Sequence, residues 1–156
     1  MSKWSLAMLP IGIISIATGA FAHEPEITCE ARVIHATHGS GGVDPKIKRV
    51  AKYLQKPPFT SWSEFKQIGE KDFKIGPGGS DRLDLPNGRR ATIGYVAPLH
   101  PPKGKERLRL RLTLTEGDKS FLDTVFVLDD EGIVLQAGQR YDQGMLILGI
   151  SCDYPN

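Results

Sequence analysis

The chain has 156 residues with 20 basic and 18 acidic side chains, so its formal net charge is only +2. A charge this close to balance excludes the strongly basic surface of a dedicated nucleic-acid-binding protein. The length is that of one domain that can bury a core without structural metal ions.

The N-terminal segment 1–22 has the pattern of a secretory signal peptide. Lys3 supplies a positive charge, an apolar run follows, and an A-x-A cleavage site ends at Ala22. Cleavage would release a chain that begins at His23, which leaves 23–156 as a single β-rich exported domain. The alternative is an uncleaved membrane anchor, but a proline and two glycines interrupt the segment and its apolar core is short for a bilayer of roughly 30 Å. We therefore expect a periplasmic or secreted protein whose mature chain has no transmembrane span.

Two cysteines, Cys29 and Cys152, stand near the two ends of the exported part. In an oxidising compartment an isolated pair of cysteines usually forms a disulfide bond. Such a bond would bring the first and last strands within about 7 Å at their Cα atoms. It would also stabilise the fold by roughly 4–5 kcal/mol through the long loop that it closes. Two separate buried thiols are the alternative.

The first part of the exported chain predicts a strand followed by a helix. Apolar and polar residues alternate over 27–33, which is typical of a strand with one buried face. Asp44 and Pro45 then suit the N-cap and the first position of a helix. Apolar residues recur at helical spacing until Pro57 and its neighbouring proline end the pattern. We predict one amphipathic helix over 44–56, whose basic face is either solvated or a contact for an anionic partner.

The rest of the chain predicts one short strand after another. The Pro-Asn-Gly triplet before Arg89 suits a three-residue hairpin loop. That loop places Leu83 opposite Ala91 on one face of the hairpin and Asp84 opposite Arg90 on the other. About eight or nine short strands with one helix favour an antiparallel β-sandwich over a doubly wound fold. We therefore predict a mainly β protein of that architecture.

Three arginines alternate with leucines in one of these predicted strands. Arg107, Arg109 and Arg111 would project from the same face of the strand, about 7 Å apart along it. Guanidinium groups in such a row could bind phosphate, carboxylate or sulfate on a glycan, a lipid headgroup or an acidic protein. The alternative is that the arginines pair with acids on neighbouring strands, such as Asp123.

The histidines suggest one metal site. Cleavage after Ala22 would expose His23, whose α-amine and imidazole could chelate a metal ion, and imidazole ligands suit Cu(II). This terminal histidine resembles the histidine brace of exported copper proteins, including lytic polysaccharide monooxygenases and periplasmic copper carriers. A second ligand would have to be His35, His38 or His100, and no spacing identifies which. The alternative is that His23 is simply the residue that cleavage leaves first, and that the other histidines are structural or exposed.

No motif in the sequence assigns a catalytic site. The glycine-rich stretch 39–42 lacks the Gly-Lys-Ser/Thr ending of a phosphate-binding loop, so we interpret it as a flexible connection. A G-x-S-x-G nucleophile elbow is also absent from the sequence. If the two cysteines are bonded, neither is available as a nucleophile.

Five segments together resemble a group of exported bacterial proteins. They are Val43–Lys48, Phe59–Phe65, Leu85–Arg89, Gly138–Tyr141 and Gly144–Ile150. The similarity spans most of the mature chain, and the shared motifs are turns and core strands. The resemblance implies a common fold and an exported location, and it carries over no catalytic residue.

The leading hypothesis is a non-catalytic exported module that binds or scaffolds an envelope protein, an extracellular protein or an anionic glycan, without a cofactor. A copper-binding protein that uses His23 is the second hypothesis. A small hydrolase, which would need a carboxylate pair or a Ser–His contact in a pocket, is the third.

Overall fold

A computed structural model describes residues 23–155, and nine strands form two stacked sheets within that range. The strands are β1 (Ile27–Thr37), β2 (Gly42–Val43), β3 (Glu64–Ile75), β4 (Ser80–Asp84), β5 (Arg90–Leu99), β6 (Arg107–Glu116), β7 (Lys119–Asp129), β8 (Ile133–Tyr141) and β9 (Gly144–Asp153). The first sheet has the order β2-β3-β1-β9-β8 and the second has the order β4-β5-β6-β7. Only the short β2 pairs in parallel among these strands. The prediction of a mainly β sandwich is therefore confirmed, and the signal-peptide prediction for 1–22 lies outside the described residues.

The helical segment lies where the sequence predicts it, but most of it is not α-helix. Pro45–Val50 forms a 3₁₀ helix, and only Ala51–Leu54 (α1) is α-helical. Asp44 caps the segment as expected, since its carboxylate accepts a hydrogen bond of 2.9 Å from a first-turn amide. Ile47 has φ −109°, which interrupts regular helical geometry. A 3₁₀ turn places residues i and i+3 on one face, so it satisfies the same apolar spacing as an α-helix. Within residues 23–155 no helix has the length and apolar character needed to cross a membrane.

The main core fills the space between the two sheets. β1 contributes the alternating residues that the sequence predicts as its buried face, and β6 contributes its four leucines. The largest fully buried side chains of this core include Ile27, Tyr95, Leu110 and Leu148. Their burial is the dominant stabilising contribution to a sandwich of this kind.

A second, smaller core covers the outer face of the first sheet. Ile34 and Ile147 oppose each other in the β1–β9 ladder, and both are fully buried. Ile47, Val50 and Leu54 from the helical segment pack in the same cluster. The first sheet is therefore covered on both faces, whereas the sequence predicted only one buried face for β1.

The predicted disulfide bond forms between Cys29 and Cys152. The two residues are direct partners in the β1–β9 ladder, with their Cα atoms 4.1 Å apart. Both are buried in the main core. The first and last strands are therefore neighbours, as the disulfide prediction required.

The predicted β4–β5 hairpin is also confirmed in register. Leu83 opposes Ala91, and Asp84 opposes Arg90. The Arg90 guanidinium donates a hydrogen bond of 2.6 Å to the Asp84 carboxylate. Gly88 closes the loop with φ 83°, a conformation that glycine adopts without steric cost.

Candidate binding face

The outer face of the second sheet has no covering segment in the described part of the chain. We call this surface the open face and define it by the residues of β5, β6 and β7 that face outward. These are Thr92, Gly94, Val96, Arg107, Arg109, Arg111, Thr113, Phe121, Asp123, Val125, Val127 and Asp129. Its three valines are exposed, at 44% for Val96, 53% for Val125 and 42% for Val127. Apolar side chains of β5 and of the edge strand β7 are therefore presented to solvent.

Two of the three arginines predicted as an anion-binding row have acidic partners on β7. Arg111 donates a hydrogen bond of 2.6 Å to Asp123, and Arg107 donates one of 2.8 Å to Asp129. The hydrogen bond from Arg111 holds the pKa of Asp123 below its ordinary range, so that carboxylate remains charged at neutral pH. These are the cross-strand pairs that the alternative interpretation of the row expected.

Arg109 differs from its two neighbours in the row. Its partners in the ladders are Ala97 on β5 and Val127 on β7, which carry no charge. Within residues 23–155 Arg109 forms no salt bridge. Arg109 is therefore the one arginine of this row without an acidic partner in the described residues, and the row does not offer three free cations.

A β-bulge determines the exposure of Val96. The register of β5 against β6 shifts between Tyr95 and Ala97, so Val96 is an extra residue in the ladder. Tyr95 is 1% exposed while Val96 is 44% exposed. Bulges redirect individual side chains in this way. No local signal in the sequence identifies this bulge, so sequence reasoning missed Val96 as a surface residue.

A shallow groove of about 430 Å³ crosses the open face beside Gly94. Gly78 and Gly79, which come just before β4, form part of its lining. The Gly78 N–H donates a hydrogen bond of 2.8 Å to the Tyr95 carbonyl, and the Tyr95 N–H donates one of 2.9 Å to the Gly79 carbonyl. A Cβ atom at Gly94 would meet no atom closer than 3.7 Å. Packing therefore does not require glycine there, and any larger side chain would project into the groove. Arg111 forms part of its wall.

Two of the candidate metal ligands lie against aromatic rings at one end of the sandwich. His35 meets Tyr141 edge to face, with ring centroids 5.1 Å apart. His38 stacks on Trp62 at 4.6 Å. Each imidazole therefore has its own aromatic partner, consistent with the structural roles proposed as the alternative to metal binding.

Among the candidate ligands, His100 is connected through Tyr154 to the first described residues of the chain. Its Nδ1 lies 2.6 Å from a carboxylate oxygen of Glu106, and its ring meets Tyr154 edge to face at 5.9 Å. The Tyr154 hydroxyl in turn donates a hydrogen bond of 3.3 Å to Glu24, the residue after His23. His23 itself is exposed. Tyr154 thus links the segment that carries His23 to His100.

Complete metal or hydrolytic constellations are not found in the described range. Within 23–155 no group of three or more His, Cys, Asp or Glu side chains is placed to hold a metal ion. In the same range no serine hydroxyl forms a hydrogen bond with a histidine. The His100–Glu106 contact therefore has no serine nucleophile beside it.

The glycine-rich stretch after β1 holds a carboxylate of its own chain. The Glu64 side chain lies directly against Gly39 and Gly41, in space that a Cβ atom at either glycine would occupy. Thr37 donates a hydrogen bond of 3.3 Å to this carboxylate, and Lys66 lies 2.9 Å from it. The hydrogen bond from Lys66 lowers the pKa of Glu64. The Glu64 carboxylate therefore occupies the space beside this stretch. Its negative charge would repel a phosphate there.

Comparisons of the chain with protein-family models, with curated proteins and with solved structures produced no match. The open face is consequently interpreted from its own geometry and chemistry.

Proposed function

We propose that this protein is an exported, non-catalytic module that binds another envelope or extracellular protein through its open face. The observation that carries the proposal is the exposed set Val96, Val125 and Val127 around the uncompensated Arg109. Contiguous exposed apolar surface marks interaction sites. Arginine is enriched in protein interfaces, where apolar residues surround it and exclude water.

The charge pattern of the open face favours a protein over an anionic glycan as the partner. A sulfated or phosphorylated glycan would be bound by a row of available cations, and Asp129 and Asp123 compensate two of the three arginines. The expected partner surface is apolar and places one carboxylate opposite Arg109. Retention on heparin should therefore not change when Arg107, Arg109 and Arg111 are all replaced by glutamine.

Export is the second element of the proposal. It is supported by the signal-peptide pattern of 1–22 and by the compatibility of the Cys29–Cys152 bond with an oxidising compartment. The native protein should begin at His23, and Edman degradation checks this. A native N-terminus at Met1 would contradict export with cleavage.

The binding proposal is tested by recovering partners from native envelopes with the processed, tagged protein. Val96→Asp and Arg109→Glu should each abolish recovery of one specific envelope protein, because they place a charge or reverse one at the centre of the open face. Ile68→Asp is the matched control. Ile68 is 43% exposed on β3 and, like Val96, lies at a register shift between strands. Equal recovery with all three variants, each shown to be folded, would contradict the proposal.

The second candidate function is copper binding. The contacts of Tyr154 favour His100 as the second ligand. After cleavage, His23 and His100 would supply the nitrogen ligands, because Tyr154 contacts both Glu24 and His100. Calorimetric titration of the processed protein with Cu(II) tests this ligand pair. His100→Ala should abolish binding and His38→Ala should preserve it. Wild-type protein that binds no tighter than micromolar would contradict copper binding.

A further inference from the structure

The helical segment that covers the first sheet carries a cluster of positive charge. Residues 45–63 contain five basic side chains and no acidic one, whereas the rest of the chain has more acidic than basic side chains. Four of the five are Lys46, Lys48, Lys52 and Lys56, and all four are exposed. We call these four side chains the lysine face. Positive charge is therefore unevenly distributed, despite a net charge of only +2.

The packing of the segment leaves these lysines in solvent. Its apolar residues Ile47, Val50 and Leu54 are buried against the first sheet, at 0%, 4% and 1% exposure. Three lysines of the face recur every fourth residue, a spacing that keeps side chains on one side of a helical segment. Tyr53 is 38% exposed among them, with its ring centre 4.9 Å from the Lys52 Nζ atom. The segment therefore presents several cations and one aromatic ring together.

The described residues do not neutralise the lysine face by ion pairing. Within 23–155 none of its four lysines forms a salt bridge. The acids that flank the segment in sequence have other partners. The Asp44 carboxylate accepts hydrogen bonds of 2.9 and 3.2 Å from the backbone amides of Lys46 and Gln67. Glu64 lies 2.9 Å from the Lys66 ammonium group. The lysine face is therefore available to an external anion.

Arg49, the fifth basic residue of the segment, has a different environment. Its guanidinium donates a hydrogen bond of 3.2 Å to the Glu131 carbonyl. It also lines a cavity of about 200 Å³ together with three acidic residues of the first sheet, Glu30, Asp72 and Asp153. Its charge is thus held near acids of the same domain, and we do not include it in the lysine face.

We propose that the lysine face binds the surface of a bilayer that contains anionic phospholipid. Lysine is depleted in protein interfaces, whereas arginine is enriched there. A lysine ammonium is a mobile point charge, so a lysine cluster is attracted to a negatively charged surface without a fixed bonding geometry. Tyrosine is also enriched at the boundary between a bilayer and water. These properties favour a lipid surface over an acidic protein as the partner of this face.

Bilayer binding would orient the whole domain. The lysine face lies on the outer side of the first sheet, and the open face is the outer side of the second sheet. A domain attached through its lysines would therefore direct Val96 and Arg109 away from the bilayer, toward a protein partner. The inference goes beyond the proposed function, because the open face does not need the lysines in order to bind. Failure of bilayer binding would leave recovery of an envelope protein unchanged.

Co-sedimentation of the processed protein with lipid vesicles tests the proposal. The protein should bind vesicles of equal parts phosphatidylglycerol and phosphatidylcholine, and it should not bind vesicles of phosphatidylcholine alone. Binding in about 0.1 M NaCl should be lost in about 1 M NaCl, where the screening length falls to about 3 Å. Inorganic phosphate at constant ionic strength should not displace the protein. Displacement by phosphate would indicate a site for the free ion and would overturn the bilayer proposal.

A pair of charge-matched variants tests whether the lysine face is responsible. Replacing Lys48, Lys52 and Lys56 together with glutamine should weaken vesicle binding roughly a hundredfold, since each lysine near an anionic bilayer contributes about fivefold. The control replaces Lys103, Lys105 and Lys119 with glutamine, which removes the same charge from exposed sites outside the segment. It should weaken binding less than about twofold. Equal losses in the two variants, or a wild type that does not bind anionic vesicles, would overturn the proposal.

An environment-sensitive fluorophore tests the orientation. Tyr53→Cys and Val96→Cys each provide one thiol for labelling, because both native cysteines are in the disulfide bond. Anionic vesicles should increase the emission of the label at position 53, which would enter the bilayer surface, and should leave the label at position 96 unchanged. An increase at position 96 that equals or exceeds the increase at position 53 would overturn attachment through the lysine face.

Discussion

The outer face of the first sheet is covered, whereas the outer face of the second sheet is exposed. On the first sheet, Ile34 and Ile147 are fully buried beneath the helical segment. On the second sheet, Val125 and Val127 are about half exposed, although they are also β-branched residues in strands. The first sheet also carries the disulfide bond. This difference indicates that the first sheet is the stabilising framework and the second sheet presents a surface.

The largest expected effect concerns the disulfide bond in the framework sheet. Replacing both Cys29 and Cys152 with alanine should lower the free energy of unfolding by about 4 kcal/mol, because the bond closes a very long loop. Urea unfolding of the wild type and the double variant measures this. A loss below about 1 kcal/mol would show that the framework sheet does not depend on its cross-link.

The next effect compares one apolar truncation on each outer face. Ile147→Ala should cost about 3 kcal/mol, because it leaves a cavity beneath the helical segment. Val125→Ala on the open face should change the free energy of unfolding by less than about 0.5 kcal/mol. Urea unfolding of both variants checks the contrast. Similar losses from the two substitutions would contradict the distinction between a covered and an open face.

A smaller effect concerns the tyrosine beneath the open face. The Tyr95 hydroxyl is buried and has no hydrogen-bond partner within 23–155, and burial raises its pKa to about 12. This folded-state pKa is above the unfolded value of about 10, so the neutral form stabilises the fold below pH 10. That contribution should be lost as the pH rises from about 10 to 12.

Tyr95→Phe should remove this alkaline loss of stability. At neutral pH it should change the free energy of unfolding by only about 1 kcal/mol or less, because the hydroxyl that it deletes has no partner. Urea unfolding at pH 8 and at pH 11 measures both quantities. Tyr53→Phe, at an exposed site, is the control and should keep the alkaline decline. A large loss at neutral pH would contradict the unpaired state of the hydroxyl.

The smallest effect concerns the ion pair on the open face. The pKa of Asp123 is lowered by its hydrogen bond from Arg111, so its contribution is present above the ordinary carboxyl pKa of about 4. It is lost as the pH falls through the lowered folded-state value. Asp123→Asn should therefore be destabilising at pH 7, with a difference from wild type that shrinks toward pH 2. The pair is exposed, so a small difference is expected. A difference that does not depend on pH would contradict this assignment.

Much of the fold could be predicted where two independent sequence signals agree. The β4–β5 register followed from apolar residues pairing on one face and charges pairing on the other, and both pairings are present. The buried leucines of β6 followed from strict alternation. The disulfide pairing followed from the number of cysteines and the expected compartment. In the two strand examples the deciding information lies in neighbouring residues. For the disulfide bond it lies in the fact that two cysteines allow only one pairing.

The second core and the open face depend on tertiary packing that no local pattern contains. The burial of Ile34 depends on a helical segment folding back over the first sheet. The exposure of Val96 depends on a bulge against β6. In sequence, residues 121–128 are apolar on both faces except at Asp123 and Thr124, and that pattern does not distinguish a central strand from an edge strand. Val125 and Val127 were therefore not identified as surface residues.

Site-specific photocross-linking in the native envelope tests the open face most directly. A benzophenone amino acid at position 96 should form an adduct with one envelope protein, because the side chain at this position would lie within the interface. The same probe at position 68, on the first sheet with nearly the same exposure, should form no such adduct. An adduct of equal yield at both positions, or at position 68 alone, would contradict the assignment of binding to the second sheet.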